Sequence, residues 1–156
     1  MKKIILFSLV SLSLLLFSCN ENRLINQYEN IPMFNWEKGY DLSYAINVED
    51  AAAKYKIVIG LRHVSDISFG EILVHLKMTI PSGEEIETPY ILEIREKDTG
   101  ELKGSAMGDI TDIEIPVEES FTFPEAGQYK FEISQQMEQD AVAGVMEVGL
   151  VIDKLK

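Results

Sequence analysis

Over most of the chain, apolar residues occupy every second position. The segment DLSYAINV, which starts at Asp41, places its apolar side chains on one face and its polar ones on the other. The segments KYKIVIGLRH, from Lys54, and EILVHLKMTI, from Glu71, repeat the alternation. A period of two with many β-branched and aromatic residues is typical of strands that bury one face. The predicted inward-facing residues are Leu42, Tyr44, Ile46 and Val48, then Tyr55, Ile57, Ile59 and Leu61, and then Ile72, Val74, Leu76, Met78 and Ile80.

Turn sequences separate these segments from later strands. Residues 81–83 (Pro-Ser-Gly) and 98–100 (Asp-Thr-Gly) are predicted turns. Regularly spaced strands divided by turns predict an all-β fold: a single antiparallel β-sandwich, Ig-like or jelly-roll-like, with about seven to eight strands over residues 40–156. Pro116 favours an edge position for its strand, because proline cannot donate to a ladder. The segment QQMEQDAVAG, from Gln135, is predicted as either a helical turn or a loop.

Tyr129 follows the glycine turn at Gly127, at the start of a predicted strand. This placement is found in the tyrosine corner of Ig-like sandwiches. A core tyrosine after a simple hairpin turn has the same sequence, so both interpretations remain open.

The N-terminus has the pattern of an export signal. Met1-Lys2-Lys3 is followed by an uncharged apolar run of about 15 residues, shorter than the ~20 that a membrane-spanning helix needs. Leu16-Phe17-Ser18-Cys19 resembles a lipobox, in which the cysteine is acylated and becomes the mature N-terminus. We therefore predict a cleaved lipoprotein signal peptide at residues 1–18, lipidation of Cys19 and membrane attachment through its acyl chains. The alternative is a plain secretory signal with an incidental cysteine.

Residues 19–39 are predicted to be the lipidated N-terminus and a leader into the folded domain, because they show no clear period. Three aromatic residues within this leader are expected to dock on the domain, since exposed aromatics are costly: Tyr28, Phe34 and Trp36.

The net charge of −12 makes nucleic acid an unfavourable partner, because both molecules would be negatively charged. Loss of the two signal-peptide lysines would shift this charge to −14. The acidity is explained by solubility, or alternatively by a basic protein partner or a divalent cation.

Candidate chemistry is sparse. Asp109 and Asp112 lie on a glycine-led loop that could coordinate calcium, although a loop aspartate more often caps backbone donors. His63 and His75 lie on successive predicted strands and could approach each other, whereas Arg62-His63 at a strand end is more simply solvent-facing. The motifs G-x-S-x-G and H-E-x-x-H do not occur. We therefore expect no catalytic residues, no metal, no cofactor and no small-molecule substrate.

The C-terminal third carries a family resemblance. The segment FPEAGQYKFEI, from Phe123, is followed by Gln136-Met137 and then by GVMEVGLVIDK, from Gly144. Together with Leu61-Arg62-His63, the tract GSAMGD from Gly104, and Asn35-Trp36, these segments resemble the GldH-type gliding-motility lipoproteins of Bacteroidetes in order and spacing.

The resemblance implies a non-enzymatic lipoprotein of the outer membrane, on its periplasmic face or at the cell surface. It would serve the gliding motility and type IX secretion apparatus, with other envelope proteins of that machinery as partners. The alternative is a carbohydrate-binding β-sandwich lipoprotein of the outer membrane. That function needs exposed aromatic rings on one face, for which the candidates are Tyr28, Phe34, Trp36, Tyr40 and Tyr90.

Overall fold

The computed structural model describes residues 22–156, and in this range the chain is built almost entirely of strands. A single 3₁₀ turn occurs at Pro32–Phe34. The strands are β1 (Arg23–Asn30), β2 (Asn35–Glu37), β3 (Leu42–Val48), β4 (Tyr55–Val64), β5 (Glu71–Thr79), β6 (Glu85–Glu93), β7 (Ser105–Met107), β8 (Ile110–Phe121), β9 (Gly127–Gln135), β10 (Ala141–Ala143) and β11 (Val145–Lys154).

The strands form two main antiparallel sheets. The five-stranded sheet has the order β1-β11-β4-β8-β7, and the four-stranded sheet has the order β3-β9-β5-β6. Strands β2 and β10 form a small third sheet, in which Trp36 pairs with Val142. Since β3 and β4 follow each other in sequence but belong to different sheets, the short connection over residues 49–54 crosses between the layers. The predicted antiparallel β-sandwich is confirmed.

The alternation of the sequence becomes the interior of this sandwich. All of the inward-facing residues predicted for β3, β4 and β5 are buried, including Ile80, which follows the end of β5. The hydroxyl of Tyr44 on β3 donates to the carbonyl oxygen of Val148 on β11, at 2.8 Å, and thereby connects the two sheets through the core. Burial raises the pKa of this tyrosine, so its hydroxyl remains a donor at neutral pH.

An aromatic cluster fills one end of the core. The ring of Phe123 makes edge contacts with Tyr55, Phe121, Tyr129 and Phe131 at centroid distances of 4.8–6.4 Å. The Tyr129 hydroxyl donates to the carbonyl oxygen of Glu125 at 2.6 Å and accepts from the Glu125 amide at 3.2 Å. A strand-initial tyrosine bonded to the backbone a few residues upstream has the geometry of a tyrosine corner. Of the two interpretations of Tyr129, the structure supports this one.

The N-terminal segment differs from the expected leader. Residues 23–30 form β1, which pairs with β11 from Arg23↔Asp153 to Asn30↔Glu147 at the edge of the five-stranded sheet. Residues 35–37 form β2. The sequence did not reveal β1 because Ile25 is its only buried side chain, so the polar character of an edge strand masked its period.

Residues 40–156, where seven to eight strands were expected, contain nine, and β1 and β2 precede them to give eleven in residues 22–156. Three of them, β2, β7 and β10, have only three residues, and the other eight have seven or more. Such short strands bury too few residues to show a period. Of the uncertain segment from Gln135, residues 136–140 form a loop that leads from β9 into β10. Within residues 22–156, no helix has the length and apolar character needed to cross a membrane.

Candidate functional site

The predicted lipidation site, Cys19, lies outside the described residues. The first described strand begins at Arg23, only four residues later in the sequence. Four residues of chain span at most about 14 Å. A membrane anchor at Cys19 would therefore hold the Arg23 end of the sandwich close to the bilayer.

The Arg23 end, where β1 and β4 begin and β11 ends, carries three cross-strand or strand-to-loop ion pairs. The guanidinium of Arg23 makes two hydrogen bonds to the Asp153 carboxylate, at 2.8 and 3.1 Å. The ammonium of Lys154 lies 2.7 Å from Asp50, and that of Lys56 lies 3.2 Å from Glu119. The hydrogen bond from Lys154 lowers the pKa of Asp50. Three acidic groups at this end, Asp153, Asp50 and Glu119, are thus paired with basic side chains, in a protein that is otherwise strongly acidic.

The outer face of the five-stranded sheet carries a groove of about 550 Å³. Tyr28 on β1 lies across its floor, over Gly149 on β11 and Gly60 on β4, which are neighbours in the sheet. A Cβ added at Gly149 would lie 2.5 Å from the tyrosine ring, so both glycines are needed for this close approach. The Tyr28 hydroxyl reaches Glu114 on β8 at 3.4 Å. Partial burial and the nearby Glu114 carboxylate raise the pKa of Tyr28.

Arg62 forms the centre of a charge cluster beside this tyrosine. Its Nε and Nη2 donate to both oxygens of Asp112 at 2.7 and 3.2 Å, and its Nη1 donates to Glu147 at 3.1 Å. The three residues lie side by side on β8, β4 and β11. The hydrogen bonds to Asp112 raise the pKa of Arg62, and Arg62 lowers the pKa of Asp112. Because the charged groups satisfy one another, the cluster joins three strands and presents no activated nucleophile or base.

Sequence reasoning did not identify this cluster. A usable signal was present, since oppositely charged residues occupy outward-facing positions of strands that pair. Strand pairing was the missing information, because β11 and β4 are far apart in sequence.

The calcium candidates do not come together as a ligand set. The Asp112 carboxylate is engaged by Arg62, and the backbone carbonyl oxygen of Asp109 accepts from the Ser65 amide at 2.8 Å. In the part of the chain that the structure describes, no group of three His, Cys, Asp or Glu side chains is arranged to hold a metal ion.

The expected placement of the histidines is wrong. His63 lies on β4 of the five-stranded sheet and His75 on β5 of the four-stranded sheet, so they do not face each other across a hairpin. His63 is fully buried rather than solvent-facing, because the alternation of β4 continues to its end and directs this side chain inward. Its Nδ1 lies 2.8 Å from the carbonyl oxygen of Val64, whereas its buried Nε2 has no partner within residues 22–156. His75 pairs with Glu87 at 2.8 Å.

The aromatic candidates for a sugar platform are dispersed. Trp36, which is the only tryptophan in the sequence, is fully buried, and its Nε1 donates to the carbonyl oxygen of Tyr40 at 2.9 Å. Tyr28 and Tyr90 are partly buried, and the Tyr90 hydroxyl donates to Glu118 at 2.7 Å. Only Phe34 and Tyr40 among the five are exposed. Trp36 and Tyr28 dock on the domain as expected, but Phe34 does not.

Comparison with known proteins connects this sandwich to a family. The family model described as GldH lipoprotein matches residues 23–152, from the first residue of β1 almost to the end of β11. The chain belongs to the GldH lipoprotein family. The match begins at β1, in agreement with its place in the sheet, and includes the Arg62 cluster and the Tyr28 groove.

A full-length relative supports the same assignment. The protein named gliding motility lipoprotein GldH from Flavobacterium johnsoniae is 25% identical over 149 residues, which cover 91% of each chain. This chain is therefore a homologue of a lipoprotein associated with gliding motility.

Solved structures align only weakly with this GldH-family chain. A carbohydrate-binding module specific for non-crystalline cellulose aligns over 85% of this chain and 74% of its own, with 10% identity and a TM-score of 0.45. A CocE/NonD family hydrolase from Staphylococcus aureus aligns over 86% of this chain and 34% of its own, with 12% identity and a TM-score of 0.42. These alignments support no inference about ligand or activity.

Proposed function

We propose that this protein is a non-catalytic lipoprotein of the outer membrane that serves the gliding motility and type IX secretion apparatus. The observation that carries the proposal is the match to the GldH lipoprotein family over nearly the whole described domain, together with the gliding-motility relative. Envelope proteins of that machinery are its partners, and acyl chains on Cys19 attach it to the membrane.

The Arg23 end is well suited to lie against a bilayer. A lipidated Cys19 would be separated from β1 by only three residues, so this end would face the headgroups. The ion pairs of Arg23, Lys56 and Lys154 neutralise acidic side chains there. Two or three acyl chains are sufficient for stable anchoring, so the domain needs no apolar surface of its own for this purpose.

The charged groups of the Arg62 cluster are engaged with one another, which is consistent with a supporting role without catalysis. The Arg62 cluster is fully engaged in pairing strands, and the Tyr28 ring closes the floor of the adjoining groove. These contacts stabilise one rigid sandwich, which is suitable as a scaffold for protein contacts.

The anchor is tested by replacing Cys19 and separating membranes from soluble protein. Cys19→Ala should move the protein out of the outer-membrane fraction and abolish incorporation of labelled palmitate. Ser18→Ala is the matched control, because it keeps a small residue before the cysteine and should remain anchored. Equal palmitate labelling of Cys19→Ala and the parent would contradict the anchor.

The cellular role is tested by deleting the gene in a gliding strain and measuring colony spreading. Spreading should be lost and should return with the parent gene but not with Cys19→Ala. Secretion of a type IX cargo, measured in the same strains, tests the secretion role separately. A deletion strain that spreads and secretes normally would refute the proposal.

A further inference from the structure

Two adjacent residues expose apolar side chains on a strained backbone at the end of the sandwich opposite Arg23. Met33 is 92% exposed and Phe34 is 50% exposed, and their φ angles are 56° and 55°. Residues other than glycine rarely adopt this left-handed conformation, because the Cβ crowds the backbone. Tyr40, which is 42% exposed, lines a shallow pocket of about 130 Å³ together with Met33. We call residues 31–41, which include the 3₁₀ turn and the short strand β2, the distal loop.

The surrounding structure holds the distal loop in this conformation. The carbonyl oxygen of Phe34 accepts from the Gly144 amide at 2.7 Å, and the Lys38 amide donates to the carbonyl oxygen of Asp140 at 2.7 Å. Trp36 anchors the loop from inside, since it is fully buried and bonded to the backbone of Tyr40. Strained conformations persist where the surroundings impose them, and they occur preferentially at functional sites. A loop that is held by these contacts and exposes Met33 and Phe34 is preorganised for binding.

The charges around the loop are strongly one-sided. Four exposed carboxylates lie on the loop and its neighbouring 136–140 segment, where Lys38 is the only base, and Lys77 on β5 is near enough to Asp41 to interact with it electrostatically. Within residues 22–156, none of the four forms an ion pair. They are Glu37, Asp41, Glu138 and Asp140. An apolar centre with a free acidic rim is complementary to an apolar pocket with a basic rim.

We propose that the distal loop is a docking site for another envelope protein, which receives Met33 and Phe34 in an apolar pocket rimmed by lysine or arginine. A second copy of this chain is disfavoured because its net charge is −12. A membrane is also disfavoured, because the acidic rim is repelled by anionic lipid. Moreover, β1 separates the loop from the Arg23 end by about 25 Å. The inference from this distance rests on the proposed anchor at Cys19, whereas the inferences from charge do not.

The first test is photo-crosslinking in intact gliding cells that produce the full-length protein. A photoreactive phenylalanine analogue at position 33 should give a discrete adduct with a different polypeptide. The control is position 91, because Ile91 on β6 is another apolar side chain exposed to solvent, at 53%, close to the 50% of Phe34. Absence of an adduct at position 33, equal adducts at both positions, an adduct of twice the chain mass, or an adduct only with lipid would each overturn the proposal.

The second test examines the chemistry of the contact. Glu37→Lys combined with Asp140→Lys should suppress the adduct, and unchanged crosslinking would refute the basic rim. With the crosslinked polypeptide identified and purified, Phe34→Gly should weaken its binding about thirtyfold, as truncation of an interface anchor typically does. Glycine adopts the φ of Phe34 freely, so this variant removes the side chain without disturbing the loop. Ile91→Thr should bind like the parent, and equal binding by Phe34→Gly would overturn the proposal.

Failure of this proposal and failure of the anchor are distinguishable. If Cys19→Ala remains in membranes or cells spread without the gene, the proposed function fails, but a specific adduct at position 33 still supports the docking site. If anchoring and spreading behave as expected and no adduct forms, only the docking site is refuted.

Discussion

The contact between Tyr28 and two glycines provides the sharpest test of the place of β1 in the fold. A Cβ at Gly149 would lie 2.5 Å from Cδ1 and 2.7 Å from Cγ of the Tyr28 ring, and a Cβ at Gly60 would lie 2.6 Å from its Cζ. Real side chains essentially never approach so closely, so Gly149→Ala must displace the tyrosine or distort β11. If residues 23–30 were a detached leader, the same substitution would meet no obstacle.

The magnitude follows from two opposing effects. Overpacking of a filled site costs about 1–3 kcal/mol. Replacing glycine by alanine within a strand gains roughly 0.5–1 kcal/mol, because alanine loses less backbone freedom on folding. Gly149→Ala should therefore destabilise the parent by about 1 kcal/mol. In a Tyr28→Ala background the obstacle is gone, and the same substitution should become stabilising by roughly 0.5–1 kcal/mol.

The assay is urea unfolding, monitored by the fluorescence of Trp36, which is fully buried and is the only tryptophan. The four proteins of the Gly149/Tyr28 double-mutant cycle should give a coupling free energy of about 2 kcal/mol. Gly70→Ala is the matched control, because a Cβ there would have no heavy atom within 4 Å. Equal destabilisation by Gly149→Ala with and without Tyr28 would refute the contact and with it this register of β1.

Three further substitutions test the strained loop, the charge cluster and the tyrosine corner. Met33→Gly should raise the free energy of unfolding by about 1 kcal/mol, since glycine adopts its φ of 56° without a Cβ penalty. A lower free energy of unfolding, measured by urea unfolding, would contradict the strain. Arg62→Gln should cost roughly 0.5–1 kcal/mol at pH 7, because the pair is partly solvent-exposed. Arg62 lowers the pKa of Asp112 in the folded state. The ion pair therefore stabilises the fold fully at pH values above the ordinary pKa of an aspartate, and this stabilisation is lost as the pH falls through the lowered pKa. The free energies of unfolding of the parent and of Arg62→Gln should therefore converge at low pH, and a difference that stays constant with pH would contradict this. Tyr129→Phe removes the hydroxyl bonded to Glu125 and should cost about 1 kcal/mol in thermal unfolding, whereas an unchanged melting temperature would rule out a stabilising corner.

The layered β-architecture was predictable from the order of apolar and polar residues. A strand directs successive side chains to opposite faces, so a sequence such as DLSYAINV specifies both the element and its buried face. The same local rule gave the interior positions of β4 and β5, and the glycine turn before Tyr129 left a tyrosine corner as one of two interpretations, between which the structure decided. The family resemblance was also readable from short ordered motifs, and the match over residues 23–152 bears it out.

The features that the sequence left undecided depend on which strands become neighbours. The packing of Tyr28 depends on the glycines of β11 and β4, and one ion pair of Arg62 depends on Glu147 on β11. The burial of His63 depends on the opposing sheet. The exposure of Phe34 depends on contacts with Gly144, more than a hundred residues away in sequence. Period and composition describe one strand at a time, whereas strand pairing is fixed by the free energy of burying all faces together. Tertiary structure therefore decided the edge strand, the charge cluster and the exposed apolar loop.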